Sequence, residues 1–228
     1  MTLAETGSTN ADLLALARDG AEDGIWLRAD RQTAGRGREG RAWQSPVGNL
    51  YASTLVRLRP TDPPAPTLAL VAAVALAETI GALGCDVTIK WPNDVLLDGG
   101  KLAGVLLERA DDAVVVGLGV NLTRAPDLPD RAAATLAGRV PSLTPQQFLE
   151  HLTEAVSHWV AMWRHDLAVV TARWSALAHP AGTPLSVKLP DGERISGRFD
   201  ALGADGALIL RLADGSARAI HAGDVFLL

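Results

Sequence analysis

The sequence predicts an α+β protein in which a mixed region of helices and strands is followed by a small all-β region. Helical and strand patterns alternate from residue 10 to residue 178, and five short apolar segments then follow with no helical pattern between them. Tight-turn pairs separate several of these last segments: Asp191-Gly192, Asp205-Gly206 and Asp214-Gly215. We therefore predict two domains, residues 1–179 and residues 180–228, of which the second is a small β-barrel.

The individual elements follow from helix caps, periodicity and turn residues. Ser8 or Thr9 is expected to cap a helix over residues 10–18, and Thr144 to begin a longer amphipathic one. Further helices are predicted over residues 67–83 and 167–178. Strands are predicted over residues 25–29, 50–58, 87–90, 95–97, 101–108, 113–121, 185–189, 194–199, 207–212, 217–221 and 225–228. A hairpin turn over residues 98–100 and loops over 60–66 and 124–141 connect them.

Composition and charge exclude several classes of protein. The chain has 228 residues, of which 48% are apolar, and a net charge of −5, which argues against disorder and against general nucleic-acid binding. Its single cysteine, Cys85, excludes an internal disulfide and a cysteine-ligated zinc site. The N-terminus lacks the features of a signal peptide, and the apolar run 68–84 is interrupted by Glu78 and too short to span a bilayer. We expect a cytoplasmic protein without a membrane partner.

The stretch RQTAGRGREGRAWQSP, residues 31–46, contains a G-x-G-x-x-G pattern and four arginines but no lysine. A dinucleotide site needs a helix directly after the glycines, and Pro46 and Gly48 prevent one here. The G-K-[ST] sequence of a Walker A loop is also missing from the chain. Guanidinium groups bind carboxylates and phosphates through paired hydrogen bonds, and glycines let a loop fold over a ligand. The stretch therefore predicts a loop that closes on a small anion, with a solvated surface loop as the alternative.

Four stretches, taken in order, resemble the signature sequences of the biotin protein ligases: GSTN (7–10), RQTAGRGREGRAWQSPVGNLYAS (31–53), KWPNDVLLDGGKLAGVLLE (90–108) and VGLGVNL (116–122). The C-terminal AIHAGDVFLL is similar to the family's last strands. The resemblance implies a catalytic fold like that of class II aminoacyl-tRNA synthetases, a mixed sheet flanked by helices, followed by an SH3-like barrel. It also implies an ATP-dependent reaction that forms biotinyl-5′-AMP and then transfers biotin to a lysine of a biotin carboxyl carrier protein.

The resemblance further implies roles for individual residues. Arg36, Arg38 and Lys101 match the family's residues that meet the biotin carboxylate and the phosphate of ATP. Biotin and the nucleotide are expected to be bound by Ser8, Thr9, Asn10, Gln32, Gly35, Gly37, Trp43, Lys90, Asn93, Asp94, Gly104 and Asn121. Three structural alternatives stay open: a helix cap at residues 8–10, a core position for Trp43, and a strand end and turn at Trp91 and Pro92. Thr123 stands where the family often has a second asparagine.

The cofactors that the resemblance implies are ATP, biotin and Mg²⁺, and Asp94 is the candidate magnesium ligand. His151, His158 and His165 recur every seven residues on one predicted helix. Residues seven apart lie about 10 Å from each other along a helix and do not share a metal ion, so a half-exposed helical stripe is expected instead.

The partner that the resemblance implies is a biotin carboxyl carrier domain of acetyl-CoA carboxylase or a related biotin-dependent enzyme. Because GSTN begins at residue 7, we expect no N-terminal DNA-binding domain and no binding of DNA. If the chain forms a homodimer, the strand around residues 113–116 is the expected sheet edge for pairing. Two alternative functions stay open: a lipoate–protein ligase on the same fold, and a non-catalytic carrier-binding or regulatory protein.

Overall fold

The computed structural model describes residues 1–126 and 132–228, and in them four α-helices accompany two β-sheets. The helices are α1 (Thr9–Arg18), α2 (Leu68–Ala82), α3 (Pro145–His165) and α4 (Leu167–Leu177). The first sheet contains β1 (Thr2–Thr6), β2 (Trp26–Gln32), β3 (Leu50–Arg57), β4 (Thr88–Lys90), β5 (Asp94–Leu97), β6 (Gly100–Ala110) and β7 (Ala113–Val120). The second contains β8 (Pro184–Lys188), β9 (Arg194–Leu202), β10 (Leu208–Arg211), β11 (Ala217–Ile220) and β12 (Asp224–Leu227). The predicted α+β class is confirmed.

The first sheet has the strand order β1-β2-β3-β7-β6-β5-β4. β1 and β2 run parallel, and every other neighbouring pair is antiparallel. β7 lies between β3 and β6, and its run of valines is buried on both faces of the sheet. The edges of the sheet are β1 and β4, so the predicted pairing edge at residues 113–116 is wrong, because a central strand has both neighbours already bonded.

Helices cover both faces of the first sheet. Leu13 and Ala17 of α1 pack on one face against Leu27, Leu55 and Val115. α2 packs on the other face and is itself covered by α3 and α4, so it needs apolar side chains on every side. The segment Ala65–Ala82 is long and apolar enough to cross a membrane, contrary to the sequence expectation, but 67% of it is buried inside the fold. Its composition is therefore accounted for by its place in the core.

α3 begins as the sequence predicts and is fixed to α2 by tryptophans. The Thr144 side chain accepts from the backbone N–H of Gln147, and the Gln147 side chain accepts in return from the backbone N–H of Thr144. The indole N–H of Trp163 donates to the Thr67 hydroxyl at 2.6 Å, and that of Trp159 donates to the Glu78 carboxylate at 2.7 Å. The three histidines spaced by seven residues are exposed, more so than the half-exposed stripe that the sequence predicts: His151, His158 and His165.

The second sheet is antiparallel, with the order β11-β10-β9-β8-β12. Its predicted turns are confirmed, because the glycine of each Asp-Gly pair has a left-handed φ between 82° and 91°. The sheet packs on the helices of the first region: the rings of Phe199 and Trp174 lie 6.3 Å apart. The turn at Gly206 sits so close to α2 that an added Cβ would lie 2.9 Å from Leu70 Cδ1.

Several elements differ from the sequence expectation, among them β9, which ends at Leu202 instead of Phe199, and β6, which spans Gly100–Ala110. β1 is not predicted, since only its parallel pairing with β2 makes these mostly exposed residues a strand. β2 continues to Gln32, three residues beyond its predicted end, because Arg31 and Gln32 pair with Glu5 and Thr6 of β1. The predicted loop over 124–141 includes residues 127–131, which lie outside the described residues.

Candidate active site

A cavity of about 360 Å³ opens on the first sheet, beneath the glycine–arginine loop (residues 35–44) and beside β12 of the second sheet. It gathers the start of α1, the end of β2, the segment 90–94, and parts of β6 and β7. Most of the predicted site residues line it: Ser8, Thr9, Asn10, Gln32, Arg36, Gly37, Arg38, Trp43, Lys90, Asn93, Asp94, Lys101 and Gly104. Segments that are far apart in the sequence therefore meet at one place.

Two predicted site residues, Gly35 and Asn121, do not line the cavity. Gly35 is packed under the loop, where an added Cβ would lie 2.7 Å from the carbonyl oxygen of Trp43. Asn121 is buried, and its amide donates to the carbonyl oxygen of Lys101 at 3.3 Å. In this structure both residues support neighbours that line the cavity rather than facing it themselves.

The arginines of the loop differ in how they are held. Arg36 is exposed at the cavity and has no hydrogen-bond or ion-pair partner in residues 1–126 and 132–228. Arg38 donates to the Asn93 side-chain oxygen at 3.4 Å and to the Gly223 carbonyl oxygen at 3.0 Å. Arg41 donates to both carboxylate oxygens of Asp224 at 2.8 and 2.9 Å. The second sheet therefore fastens the C-terminal part of the loop, while Arg36 stays available to an anion.

Asp94 is a buried carboxylate between two ammonium groups. Lys101 Nζ lies 2.5 Å from its Oδ1, and Lys90 Nζ lies 3.6 Å from its Oδ2. Lys101 follows the predicted hairpin turn, where Asp98 and Gly99 have left-handed φ values of 50° and 78°. The turn directs the ammonium into the cavity, and only 17% of the Lys101 side chain is exposed.

Trp43 lies across the glycines of β6 and β7. A Cβ added to Gly119 would lie 2.6 Å from the indole ring, and one added to Gly104 would lie 3.3 Å from it. Lys101 Nζ lies 5.3 Å from the ring centroid, a cation–π distance. The indole N–H is buried and lacks an acceptor among the residues that the structure describes. Trp43 is only half-buried, so it is a cavity wall rather than a core residue.

Uncharged polar groups line the part of the cavity that the start of α1 and the end of β2 form. The side-chain oxygen of Gln32 accepts from the backbone N–H of Thr9 at 2.9 Å and lies 3.1 Å from its hydroxyl oxygen. The Gln32 amide donates to Ser45 Oγ at 3.1 Å, which fixes the orientation of the glutamine. Ser8 caps α1 and also lines the cavity, so the capping interpretation and the cavity interpretation both hold.

Several residues that line the cavity were missed by the sequence analysis. Gly117 and Gly119 lie within a quoted signature stretch, and the signal that identifies them is alternation of glycine with apolar residues on a strand. Arg41 lies within the glycine–arginine stretch itself. Asp224 and Phe226 come from the second sheet, and no local pattern links them to residues near the N-terminus.

Two side chains near the cavity have shifted pKa values. Burial, together with the nearby positive charge of Lys90, lowers the pKa of His179 below its ordinary value. Burial raises the pKa of Tyr51 to about 12, against a smaller opposing effect of its hydrogen bond with Asn49. Both shifts favour the neutral form, so neither group supplies charge to the site near neutral pH.

The cavity is positively charged although the chain as a whole is acidic. Its described lining contains five cationic side chains, Arg36, Arg38, Arg41, Lys90 and Lys101, against the carboxylates of Asp94 and Asp224. Within the described ranges there is no cluster of three or more His, Cys, Asp or Glu side chains suited to a metal ion. The arrangement suits organic anions with several negative charges.

Comparison with known proteins gives the family. Residues 6–121 match the biotin/lipoate A/B protein ligase family, and residues 186–228 match the C-terminal domain of biotin protein ligases. The chain belongs to the biotin protein ligase family. The second match covers most of the second sheet, so both regions of the chain share this assignment.

Relatives of this ligase family align along nearly the whole chain. A biotin–[acetyl-CoA-carboxylase] ligase from Paracoccus denitrificans is 41% identical over 98% of each chain. One from Mycobacterium tuberculosis is 36% identical over 98% of this chain and 86% of that protein. Among solved structures, the biotin protein ligase from Aquifex aeolicus in complex with biotin and ATP is 26% identical, covers 100% of this chain and 97% of that one, and superposes with a TM-score of 0.85.

Proposed function

We propose that this chain joins biotin to a lysine of a carrier domain in an ATP-dependent reaction with biotinyl-5′-AMP as the intermediate. The observation that carries the proposal is the excess of positive charge around one cavity in a chain of net charge −5. The biotin carboxylate and the triphosphate of ATP are both anions and must approach each other, so their meeting point requires fixed positive charge. Membership of the family and the likeness to a ligase solved with biotin and ATP support the same reaction.

In the first step, a carboxylate oxygen of biotin attacks the α-phosphorus of ATP, the bond to the bridging oxygen breaks, and pyrophosphate leaves. Two unit charges about 4 Å apart repel by about 4 kcal/mol at an effective dielectric constant of 20. Arg36, Arg38 and Lys101 offset this repulsion. Lys101 suits the role because Asp94 and the Trp43 ring hold its ammonium group in one position.

In the second step, the neutral ε-amine of the carrier lysine attacks the carbonyl carbon of the mixed anhydride, and AMP leaves with the electrons of the broken bond. The anhydride is also open to hydrolysis, so water has to be kept away until the amine arrives. The glycine–arginine loop performs this exclusion. Arg36 supports the role, since it is not held by a described residue and is available to follow the anhydride.

Substrate orientation follows from the two ends of the cavity. The uncharged end, formed by Ser8, Thr9, Asn10 and Gln32, binds the ureido ring of biotin through hydrogen bonds. Trp43 lies along the adenine at the other end, where the face of its ring is available for stacking. The lysines and the Asn93–Asp94 pair face the phosphates between them. Gly37 and Gly104 have no side chain and so leave room for the ligands against the wall of the cavity.

Mg²⁺ is proposed to enter with ATP, as part of the substrate. The cavity offers one buried carboxylate, Asp94, and that group already contacts Lys101 and Lys90. Within the described residues this donor set does not make a protein-built magnesium site, since Mg²⁺ prefers six oxygen ligands. The phosphates of ATP supply such oxygens, as they do in many nucleotide sites.

The partner is proposed to be the biotin carboxyl carrier domain of acetyl-CoA carboxylase, the enzyme named in two relatives. We also propose that residues 1–179 form the catalytic domain and residues 180–228 a separate barrel-like domain. The stretch without helix or strand between α4 and β8 supports this boundary. Location in the cytoplasm, with no binding of DNA or membrane, stays a prediction, as does homodimerisation.

The decisive experiment is incubation of the purified chain with ATP and free biotin, followed by mass spectrometry for biotinyl-AMP and pyrophosphate. A second incubation adds a carrier domain and measures its gain in mass by one biotin. Lys101→Met is expected to lower adenylate formation at least about 100-fold, which is the order seen when one charge-stabilising group is removed. Lys188→Met, at an exposed position on β8, is the matched control and is expected to retain full activity.

The two alternative functions predict different products. A lipoate–protein ligase forms lipoyl-AMP when lipoate replaces biotin and leaves biotin unchanged. A non-catalytic regulatory protein binds the carrier domain but yields neither adenylate. Either result overturns the proposal, whereas biotinyl-AMP formed by the wild type but not by Lys101→Met supports it.

A further inference from the structure

Ser53 and Glu108 do not line the cavity, but both contact side chains that do. Ser53 of β3 is fully buried, and Glu108 of β6 is half-buried. The Asn10 amide nitrogen donates to Glu108 Oε2 at 2.8 Å, and Ser53 Oγ donates to Asn10 Oδ1 at 2.6 Å. Ser53 Oγ also lies 2.8 Å from Thr9 Oγ1. A hydrogen-bonded chain therefore runs from Glu108 through Asn10 and Ser53 to Thr9.

The direction of this chain follows from which groups can donate. A carboxylate oxygen only accepts, so the Asn10 amide must turn its NH₂ toward Glu108 and its oxygen toward Ser53. The single proton of the Ser53 hydroxyl is then used on Asn10. The Thr9 hydroxyl therefore has to supply the proton of its 2.8 Å contact with Ser53, and Gln32 Oε1, 3.1 Å away, is a second internal acceptor for that proton. Thr9 Oγ1 is left with free lone pairs and no proton for a ligand.

The packing around Asn10 removes the alternative orientation. The Leu106 carbonyl oxygen lies 3.4 Å from the Asn10 amide nitrogen and is a second acceptor on the same side as Glu108. A Cβ on Gly117 would lie 2.2 Å from Asn10 Oδ1, so the amide lies against the β7 backbone with no room to move outward. A flipped amide would direct its oxygen at two acceptors and its NH₂ at a hydroxyl.

We infer that Glu108 is a positioning residue that makes Thr9 a hydrogen-bond acceptor toward an N–H group of the ligand, acting through Asn10 and Ser53. The inference rests on the proposed function, in which this end of the cavity binds the ureido ring. It adds a reason for selectivity: the site takes a cyclic urea with N–H groups and rejects the same ring when a nitrogen carries no proton. Losing such a donor leaves a buried acceptor unpaired.

The test measures dissociation constants by calorimetry for biotin and for its two derivatives that carry a methyl group on one ureido nitrogen. The wild type is expected to bind biotin more tightly than at least one derivative. Glu108→Leu is expected to weaken biotin binding by about tenfold, the order for one lost buried hydrogen bond to a charged group, with little change for that derivative. The selectivity ratio therefore falls about tenfold, which a merely structural role for Glu108 does not predict.

Three further variants separate the outcomes. Glu108→Gln keeps an oxygen acceptor and is expected to retain selectivity within about threefold. Ser53→Ala breaks the chain at its middle and is expected to lose selectivity as Glu108→Leu does, which gives a second test if that variant fails to fold. Glu78→Leu removes another half-buried carboxylate, which bonds Trp159 far from this chain, and is expected to leave selectivity unchanged.

An unchanged ratio in folded Glu108→Leu and Ser53→Ala overturns the inference while leaving the proposed function intact. A wild type that does not bind biotin at all overturns the proposed function and the inference with it. The two failures are therefore distinguishable in the same series of titrations.

Discussion

Arg41 donates two hydrogen bonds to the carboxylate of Asp224, at 2.8 and 2.9 Å, across 183 residues of sequence. Arg41 lies in the C-terminal part of the glycine–arginine loop, and Asp224 is the first residue of β12. Arg38 reaches the same place, because it donates to the carbonyl oxygen of Gly223. The loop is consequently anchored on the second sheet at its C-terminal end, and we expect any movement over the cavity to involve Gly35 and Gly37, which precede the anchor.

Asp224→Asn is expected to loosen this anchor. An ion pair at a partly exposed position contributes up to about 1 kcal/mol, so hydrogen exchange of the amides in residues 35–44 should accelerate by about two- to fivefold. Exchange measured by mass spectrometry on the ligand-free protein checks this. Glu39→Gln is the control, because Glu39 contacts Arg41 only at 3.5 Å and from an exposed position. Equal exchange rates in Asp224→Asn and the wild type would contradict the anchoring role.

Arg38→Gly is expected to leave a folded protein that loses its intermediate. Among the described residues, the side chain makes two hydrogen bonds and a 3.8 Å ion pair with Asp224 at the edge of the cavity, so the melting temperature should change little. Without the guanidinium the loop no longer holds the adenylate, and biotinyl-AMP should accumulate in the filtrate of a centrifugal concentrator. Arg31→Gly removes an exposed arginine paired with Glu5 outside the cavity and should retain the intermediate. Normal retention by Arg38→Gly counts against the proposed role.

Gly119→Ala is expected to displace Trp43 and weaken ATP binding. The new methyl group would lie 2.6 Å from the indole ring, and overpacking of this kind costs about 1–3 kcal/mol, or about five- to 150-fold in affinity. Titration with ATP measures the effect. Gly81→Ala at the end of α2 meets no atom within 4 Å and should be neutral or stabilising by up to about 1 kcal/mol. Unchanged ATP affinity in Gly119→Ala would show that the ring position is not needed.

Because of His179, the free energy of unfolding is expected to fall at mildly acidic pH. Its folded-state pKa lies below the ordinary value of 6.5, so the unfolded chain binds the proton more readily. The stability that neutral His179 contributes is present above pH 6.5 and is lost as the pH falls through the lowered pKa. Melting temperatures from about pH 7.5 to about pH 5 measure the slope. His179→Gln should flatten it, whereas His151→Gln on the exposed face of α3 should not; equal slopes would refute the assignment.

The fold was predictable where local chemistry specifies it. The capping box at Thr144 and the turn at Asp98-Gly99 determine their elements without help from distant residues, and both are confirmed. β1 was not predictable, because its exposed residues become a strand only through pairing with β2. The edge assignment at Ala113 was wrong for the same reason, since the position of a strand within a sheet depends on long-range pairing.

Charged residues of the candidate site were easier to predict from the sequence than its glycines and its buried hydroxyl groups. Arginines in a glycine-rich stretch indicate an anion site, which made Arg36 predictable from the residues, whereas Lys101 was predictable only through the resemblance to the family. Gly119 has no side chain, and its importance appears only when the Trp43 ring is seen lying on it. Ser53 is a buried hydroxyl on a strand, and nothing in its sequence neighbourhood indicates contact with Thr9.

The contacts of the second sheet have a consequence for how such ligases diverge. Trp91, which lines the cavity, donates its indole N–H to the carbonyl oxygen of Gly206 at 3.1 Å, and Arg41 binds Asp224. A chimera that takes its C-terminal segment from a distant homologue must therefore reproduce both attachments, one at a turn and one at a strand. Substitutions at position 41 and position 224 are expected to be inherited together, so we expect the terminal segment to evolve with the cavity rather than as an exchangeable module.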